Sequence, residues 1–295
     1  QYPHFVNYVQ AQIEAIFGTT DVMYQRGFTI YTTLNPRIQD VAESALERRV
    51  DQLVNNGVET GSVMVTDPQT GAVRAMVGSP DFNDETINGQ FDNTRSWQQP
   101  GSAIKPFVYA AAMAGLPDGS YPTPASIVWD VYTEYPVQGA PPYVPPNFNN
   151  ATPQGPIPLR FALQNSINIP AVKTLEMVGL SNFQTFANNM QIQFFPDIPL
   201  SLATALGANE VRLIDMMKGY GIFANNGVYA PLYVIERITQ EGGVDVPLPE
   251  REAPVQVISP QVAYLMQNIL SDDASRQQQF GINTNLTLVN AGVPA

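Results

Sequence analysis

Apolar and polar positions change period several times along the chain, and each change marks an element. Thr29-Ile-Tyr-Thr-Thr33 is β-branched and aromatic and predicts a strand, after which Asn35 and Pro36 supply a helix cap and a first-turn proline. Ile38, Val41, Ala42, Ala45, Leu46, Val50 and Leu53 then recur at three- and four-residue spacing among Asp40, Glu43, Glu47 and Arg48. That pattern predicts an amphipathic helix ending near Asn55-Asn56-Gly57. Ser62–Thr66 and Ala72–Val77 flank Asp67-Pro-Gln-Thr-Gly71, which predicts two antiparallel strands joined by a short turn.

From Ser79 to Gly101 the chain is polar and aperiodic. From Ser102 to Gly115 it is Ala-rich and apolar on nearly every side, which predicts a buried helix entered through Pro100-Gly101. Prolines crowd residues 117 to 158, including Pro141-Pro142 and Pro145-Pro146, and predict a long irregular excursion of the kind that borders binding clefts. Helical patterns dominate from Pro158 to Asn225, β-branched stretches return from Val228 to Ile238, and Ser259-Pro260 starts a helix through about Leu270. Strands early and late around a helical block predict an α/β layered domain, α+β-like, with a partly antiparallel sheet assembled from both ends of the chain.

Composition narrows the function classes. A chain of 295 residues with 44% hydrophobic content can bury a full core. Its 14 basic and 26 acidic residues leave a net charge of −12, which excludes a basic nucleic-acid footprint and argues against direct binding to an anionic membrane surface. With no cysteine and His4 as the single histidine, neither a disulfide nor a metal centre is expected, and nothing calls for a cofactor. The longest nearly apolar stretch, Pro106 to Leu116, is well short of the roughly 20 residues of a membrane span. Because the chain opens on Gln1 without a leader pattern, it is expected to be a piece of something longer, with any membrane anchor outside it.

Candidate chemistry begins with Ser102 and Lys105, three apart at the start of the predicted helix and therefore on one face. A neutral lysine amine there can take the serine proton as the hydroxyl attacks a carbonyl. Bringing the amine from about 10.4 to about 7.5 requires roughly 4 kcal/mol of differential environment, within reach of an apolar helix and its N-terminal dipole. The backbone N–H of Ser102 would supply half of an oxyanion hole. Thirteen serines and three lysines produce a Ser-x-x-Lys by chance about one time in eight, so a capping serine beside a surface lysine is the competing reading. Against it, Ala103-Ile104 and Phe107-Val-Tyr-Ala-Ala-Ala112 make too apolar a setting for a solvent-facing lysine. Elsewhere, Asp81, Asp84 and Glu85 read as a solvated turn, and Trp97 either borders a cleft or packs.

Gln99-Pro-Gly-Ser-Ala-Ile-Lys-Pro-Phe-Val-Tyr109 resembles the first active-site motif of class A penicillin-binding proteins, serine acyltransferases read by three motifs. Their second motif, Ser-x-Asn, is matched by Ser166-Ile167-Asn168 within Leu163–Val172; alone, Ser166 would read as a cap between helices. The likeness continues through Arg26–Pro36, Ala205–Glu210 and Gly219–Tyr229, and residues 1–28 look like the linker that follows a glycosyltransferase domain, with 29–295 as the transpeptidase domain. The third motif, Lys-Thr-Gly, is absent, since no lysine follows Lys218. Truncation just upstream of it is the expectation, with a sheet incomplete at its C-terminal strands and half the oxyanion stabilisation missing.

The resemblance implies a β-lactamase/transpeptidase-like layered fold, a central, mainly antiparallel sheet flanked by helices, on the outer side of the cytoplasmic membrane. It implies D,D-transpeptidation: Ser102 attacks the penultimate D-Ala carbonyl of a peptidoglycan stem peptide, D-Ala leaves, and an amine from another strand resolves the acyl-enzyme. Lys105 would take the Ser102 proton, Ser166 would relay a proton to the leaving amine, and Asn168 would orient Lys105 and the substrate amide. β-Lactams would acylate the same serine. Two rivals remain: a D,D-carboxypeptidase or β-lactamase-like hydrolase, and a non-catalytic module that binds muropeptides or β-lactams.

Overall fold

The computed structural model describes residues 1–282 apart from 22, 24 and 25. Residues 286–295, near which the third-motif strand was expected, lie outside the described residues. In chain order the first elements are helix α1 (Pro3–Phe17), strand β1 (Thr29–Thr32), helix α2 (Pro36–Leu53) and strands β2 (Val63–Thr66), β3 (Val73–Val77) and β4 (Trp97–Gln98). Helix α3 (Lys105–Ala114) precedes strands β5 (Ile127–Asp130), β6 (Tyr135–Val137), β7 (Ala140–Tyr143) and β8 (Gly155–Pro158). Helices α4 (Leu159–Gln164), α5 (Asn168–Val178) and α6 (Leu180–Asn189) come next, then β9 (Val211–Arg212), helix α7 (Leu213–Ala224) and β10 (Val228–Tyr229). The last described elements are β11 (Ile235–Thr239), β12 (Asp245–Val246), β13 (Val255–Gln256), α8 (Pro260–Leu270) and α9 (Gln277–Phe280).

The chain forms two compact units. The first comprises residues 1–97, 212–221 and 229–255, and the second residues 98–211, 222–228 and 256–295. In the first unit β1 pairs antiparallel with β11, β11 with β12, and β2 with β3. The hairpin is fastened to the three-stranded sheet by Val73 N–H donating to Tyr233 O at 3.1 Å and by the Thr33 hydroxyl, just after β1, donating to Val73 O at 2.6 Å. A register shift in each strand pair, where simple alternation would separate residues three apart, lets Val73 and Met76 share one core with Ile235 and Ile238, and Phe5, Val9 and Ile13 of α1 complete it. Helix α2 covers Ala75 and Val77 with Ala42 and Leu46, its amphipathic stripe, and Asn35 caps it by accepting from Arg37 and Ile38 N–H groups. His4 of α1, 5% exposed, reaches Ser79 Oγ at 3.0 Å, and burial lowers its pKa.

The second unit is built mainly of helices around α3, whose residues from Lys105 to Met113 are all buried. Helices α5 and α8 pack on it, and Phe107 stacks on Phe223 with ring centroids 5.0 Å apart. The proline-rich stretch is more ordered than its composition predicts: β5 pairs with β8 and β6 with β7. Two-stranded ribbons tolerate proline because each strand has a free edge, so Pro136, Pro141, Pro142, Pro156 and Pro158 sit in strands without breaking a ladder. The helix predicted from Ser102 also divides, into a 3₁₀ turn over Gly101–Ile104 and an α-helix from Lys105. Ser259 caps α8 through Val262 N–H, as Ser259-Pro260 predicts.

Candidate active site

Lys105 opens α3, and its side chain is 1% exposed. The amine nonetheless meets three oxygens: Ser166 O at 2.6 Å, Asn168 Oδ1 at 2.7 Å and Ser166 Oγ at 3.1 Å. Burial holds its pKa down at about 7. A protonated amine has three N–H groups for three acceptors. A neutral one keeps two N–H groups for the two carbonyl oxygens and turns its lone pair to a hydroxyl. The site is therefore furnished for both protonation states of one amine.

Ser102 lies across a single 3₁₀ turn from Lys105, where side chains three apart nearly eclipse. Its side chain is exposed, and its hydroxyl makes no hydrogen bond among the described residues. The structure thus gathers Lys105, Ser166 and Asn168 into one hydrogen-bonded group, with Ser102 one 3₁₀ turn away from Lys105 along the chain. The turn rests on a close approach of backbone. A Cβ on Gly207 would stand 2.3 Å from the nitrogen and oxygen of Gly101. Gly207 closes a second 3₁₀ turn, Leu202–Leu206, at φ 79, a conformation glycine adopts without strain. Gln99 Nε2 donates to Ala208 O at 3.1 Å on the same front.

Ser166 follows α4 at φ 52, a left-handed conformation that costs a serine energy. It terminates the helix: Ser166 N–H donates to Leu163 O and Ile167 N–H to Ala162 O, both at 3.0 Å. The cap reading and the chemical reading of Ser166 are thus compatible, because ending α4 leaves both Ser166 oxygens facing Lys105. Around it, Asn165 donates to Phe161 O and Ser275 O, and Gln164 and Arg160 both reach Asp272, tying α4 to the end of α8. Asn168 starts α5, donates from Nδ2 to Pro146 O at 2.9 Å, and has its own N–H taken by Asn147 Oδ1 at 3.2 Å. Sequence reasoning passed over Asp130, Pro146, Asn147 and Gly207. Gly207 had a signal inside the Ala205–Glu210 segment of the family likeness, whereas Asp130, Pro146 and Asn147 had only that of lying in the proline-rich excursion expected to border a cleft.

Asp81, Asp84 and Glu85 lie in a loop of the first unit, where Asp84 caps a 3₁₀ turn through Thr86 N–H. Trp97 packs its ring under the Arg212 guanidinium at 5.0 Å. Among the described residues no group of His, Asp or Glu side chains is arranged to hold a metal ion, and no helix is long and apolar enough to cross a membrane.

Residues 61–286 match the family model described as the penicillin binding protein transpeptidase domain. The chain is 34% identical over 220 residues to penicillin-binding protein 1A of Neisseria flavescens, covering 72% of this chain and 26% of that protein. It is 30% identical over 249 residues to penicillin-binding protein 2D of Bacillus subtilis, covering 82% of this chain and 33% of that protein. Its fold matches the structure of the PonA1 protein from Mycobacterium tuberculosis in complex with penicillin V, with a TM-score of 0.76 at 21% identity over 95% of this chain and 73% of that one. Together these matches define a penicillin binding protein transpeptidase domain. The chain belongs to the penicillin-binding protein transpeptidase family. It spans about a quarter of the length of the penicillin-binding protein 1A relatives it matches.

Proposed function

We propose that this chain carries the acylation half of a D,D-transpeptidase that cross-links peptidoglycan stem peptides, with Ser102 as nucleophile. The observation that supports it most is Lys105: a buried amine with a pKa of about 7 and acceptors for its protonated form already in place. Neutral Lys105 takes the Ser102 proton while Oγ bonds to the penultimate D-Ala carbonyl. The resulting ammonium is met by Ser166 O, Ser166 Oγ and Asn168 Oδ1. Ser166 Oγ, 3.1 Å from the amine, passes its own proton to the departing D-Ala nitrogen and is reprotonated by Lys105, so the C–N bond breaks as N–H forms. An amine from a second stem peptide then displaces Ser102 by the reverse sequence.

A β-lactam ring presents the same carbonyl and leaving nitrogen, so it acylates Ser102 and stays, in keeping with the family and with the penicillin V of the PonA1 complex. The substrates place the working protein on the outer face of the cytoplasmic membrane, and the relatives' greater length leaves room for a glycosyltransferase domain and a membrane tether elsewhere in the full protein. With no Lys-Thr-Gly in these 295 residues, the expectation is that one oxyanion donor is lacking and that this chain on its own has little or no transpeptidase activity, its acylation slowed by about 10²-fold or more. Prolonged incubation with a labelled penicillin followed by peptide mass mapping tests the assignment. The expected adduct is the intact drug on the peptide bearing Ser102, absent in Ser102→Ala. Label that survives this substitution refutes Ser102 as nucleophile.

A further inference from the structure

Asn168 presents its carbonyl oxygen, not its amide nitrogen, to Lys105, and something must choose between those two faces of the side chain. The choice is made by the tip of the segment between β7 and β8. Pro146 O accepts from Asn168 Nδ2 at 2.9 Å, which turns Oδ1 toward the amine. Next to it, Asn147 Oδ1 accepts from the N–H groups of both Asn168 and Ile169 at 3.2 Å, holding the first turn of α5. Asn147 can do this only with its own amide turned the right way. A flipped amide would set N–H against N–H.

Its orientation is set by Asp130 on β5, which is 0% exposed. Asn147 Nδ2 donates to Asp130 Oδ1 at 2.9 Å and Oδ2 at 3.1 Å, and Gln154 N–H donates to Oδ2 at 2.9 Å. A carboxylate accepts and never donates, so it admits one orientation of the Asn147 amide. No cation pairs with Asp130 among the described residues, so amide donors alone carry this buried charge. Such an arrangement is costly to a fold that gains only packing from it.

We infer that Asp130 and Asn147 are positioning residues for the amine: the Asp130 carboxylate orients the Asn147 amide, and Pro146-Asn147 clamps Asn168 so that Oδ1 meets Lys105. The inference rests on Lys105 being the base of the proposed reaction. Neither residue touches substrate. Their effect reaches the chemistry through an oxygen that stabilises the protonated amine.

The chain has only three lysines, so Lys105 can be followed by NMR on lysine-labelled protein, its signal identified by its absence in Lys105→Met. The titration contains neither substrate nor β-lactam. Releasing the clamp removes an acceptor of the ammonium, so in Asn147→Ala and in Asp130→Asn the Lys105 midpoint falls by on the order of one pH unit, as it does in Asn168→Ala. The exchange of Asp130→Asn together with Asn147→Asp keeps every donor opposite an acceptor, with the carboxylate now receiving the α5 N–H groups, and reverses that fall. Should a single variant not fold, a folded exchange variant with the unsubstituted protein's midpoint still supports the clamp. A midpoint unmoved by Asn147→Ala while Asn168→Ala lowers it overturns the inference, as does an exchange variant that fails to fold or to reverse the shift. A protein that shows these shifts and yet takes no penicillin on Ser102 would refute the transpeptidase reading and leave the clamp intact.

Discussion

Lys105 carries opposing demands. The residue is 1% exposed, so water cannot solvate the charge, while three oxygens offer to share it. Desolvation dominates, and the pKa settles at about 7. Only the neutral amine can take the Ser102 proton, so the rate of β-lactam acylation should climb about tenfold per pH unit below that value and level off above it. Labelling rates between pH 5.5 and 9 check this, and a flat profile would separate Lys105 from the rate. Sequence reasoning reached the same amine because an apolar run around a lysine is legible residue by residue. It did not reach Asn147 or Asp130, because nothing in Pro145-Pro146-Asn147 or in Ile127–Asp130 distinguishes a clamp from any polar loop.

At the scale of elements, the site is an assembly of ends. Lys105 begins α3, Ser166 ends α4 and Asn168 begins α5, so each side chain stands where backbone donors or acceptors have no partner within the helix. Ser102 is held differently, on a 3₁₀ turn pressed against Gly207. Gly207→Ala would put a methyl where Gly101 now lies, and relief requires moving the turn that carries the nucleophile. That variant should acylate more slowly by on the order of a hundredfold with Lys105 still titrating near its usual midpoint. An unchanged labelling rate would show that the turn tolerates the displacement. The amphipathic helix at 36–53, the hairpin at 63–77 and the capped helix at 260–270 were all legible, because periodicity and caps act within a few residues. The ribbons at 127–158 were not, because proline reports the missing donor and not the free edge that excuses it.

For the whole molecule, the buried amine is a load on the fold. Because the folded-state pKa of Lys105 lies below that of an unfolded lysine, the unfolded chain binds the extra proton between about pH 7 and pH 10.5. Stability contributed through this group therefore falls as pH drops through that window, by about 4 kcal/mol at neutral pH, and an uncharged residue of similar length is free of the loss. Lys105→Met should raise the midpoint of chemical unfolding at pH 7 while abolishing acylation, with the gain shrinking toward pH 10. A melting point lowered at every pH would mean that the three acceptors stabilise the fold more than burial costs it. The anionic surface, at −12 net, bears on solubility rather than on this load, which comes from burial of the amine.

By itself the sequence determined the family, the serine and lysine three residues apart, the Ser-x-Asn segment downstream, and the helices and hairpin whose patterns are local. Those properties survive in a linear string because they depend on residue type and short spacing. Only the tertiary structure decided which end of the Asn168 amide faces the amine, that the Ser166 carbonyl joins its hydroxyl as an acceptor, that Gly207 presses on the nucleophile's turn, and that a buried carboxylate at Asp130 stands two hydrogen bonds behind Asn168. Each of these is a matter of direction between groups 17 to 106 positions apart in the chain, and direction at that separation is set by packing.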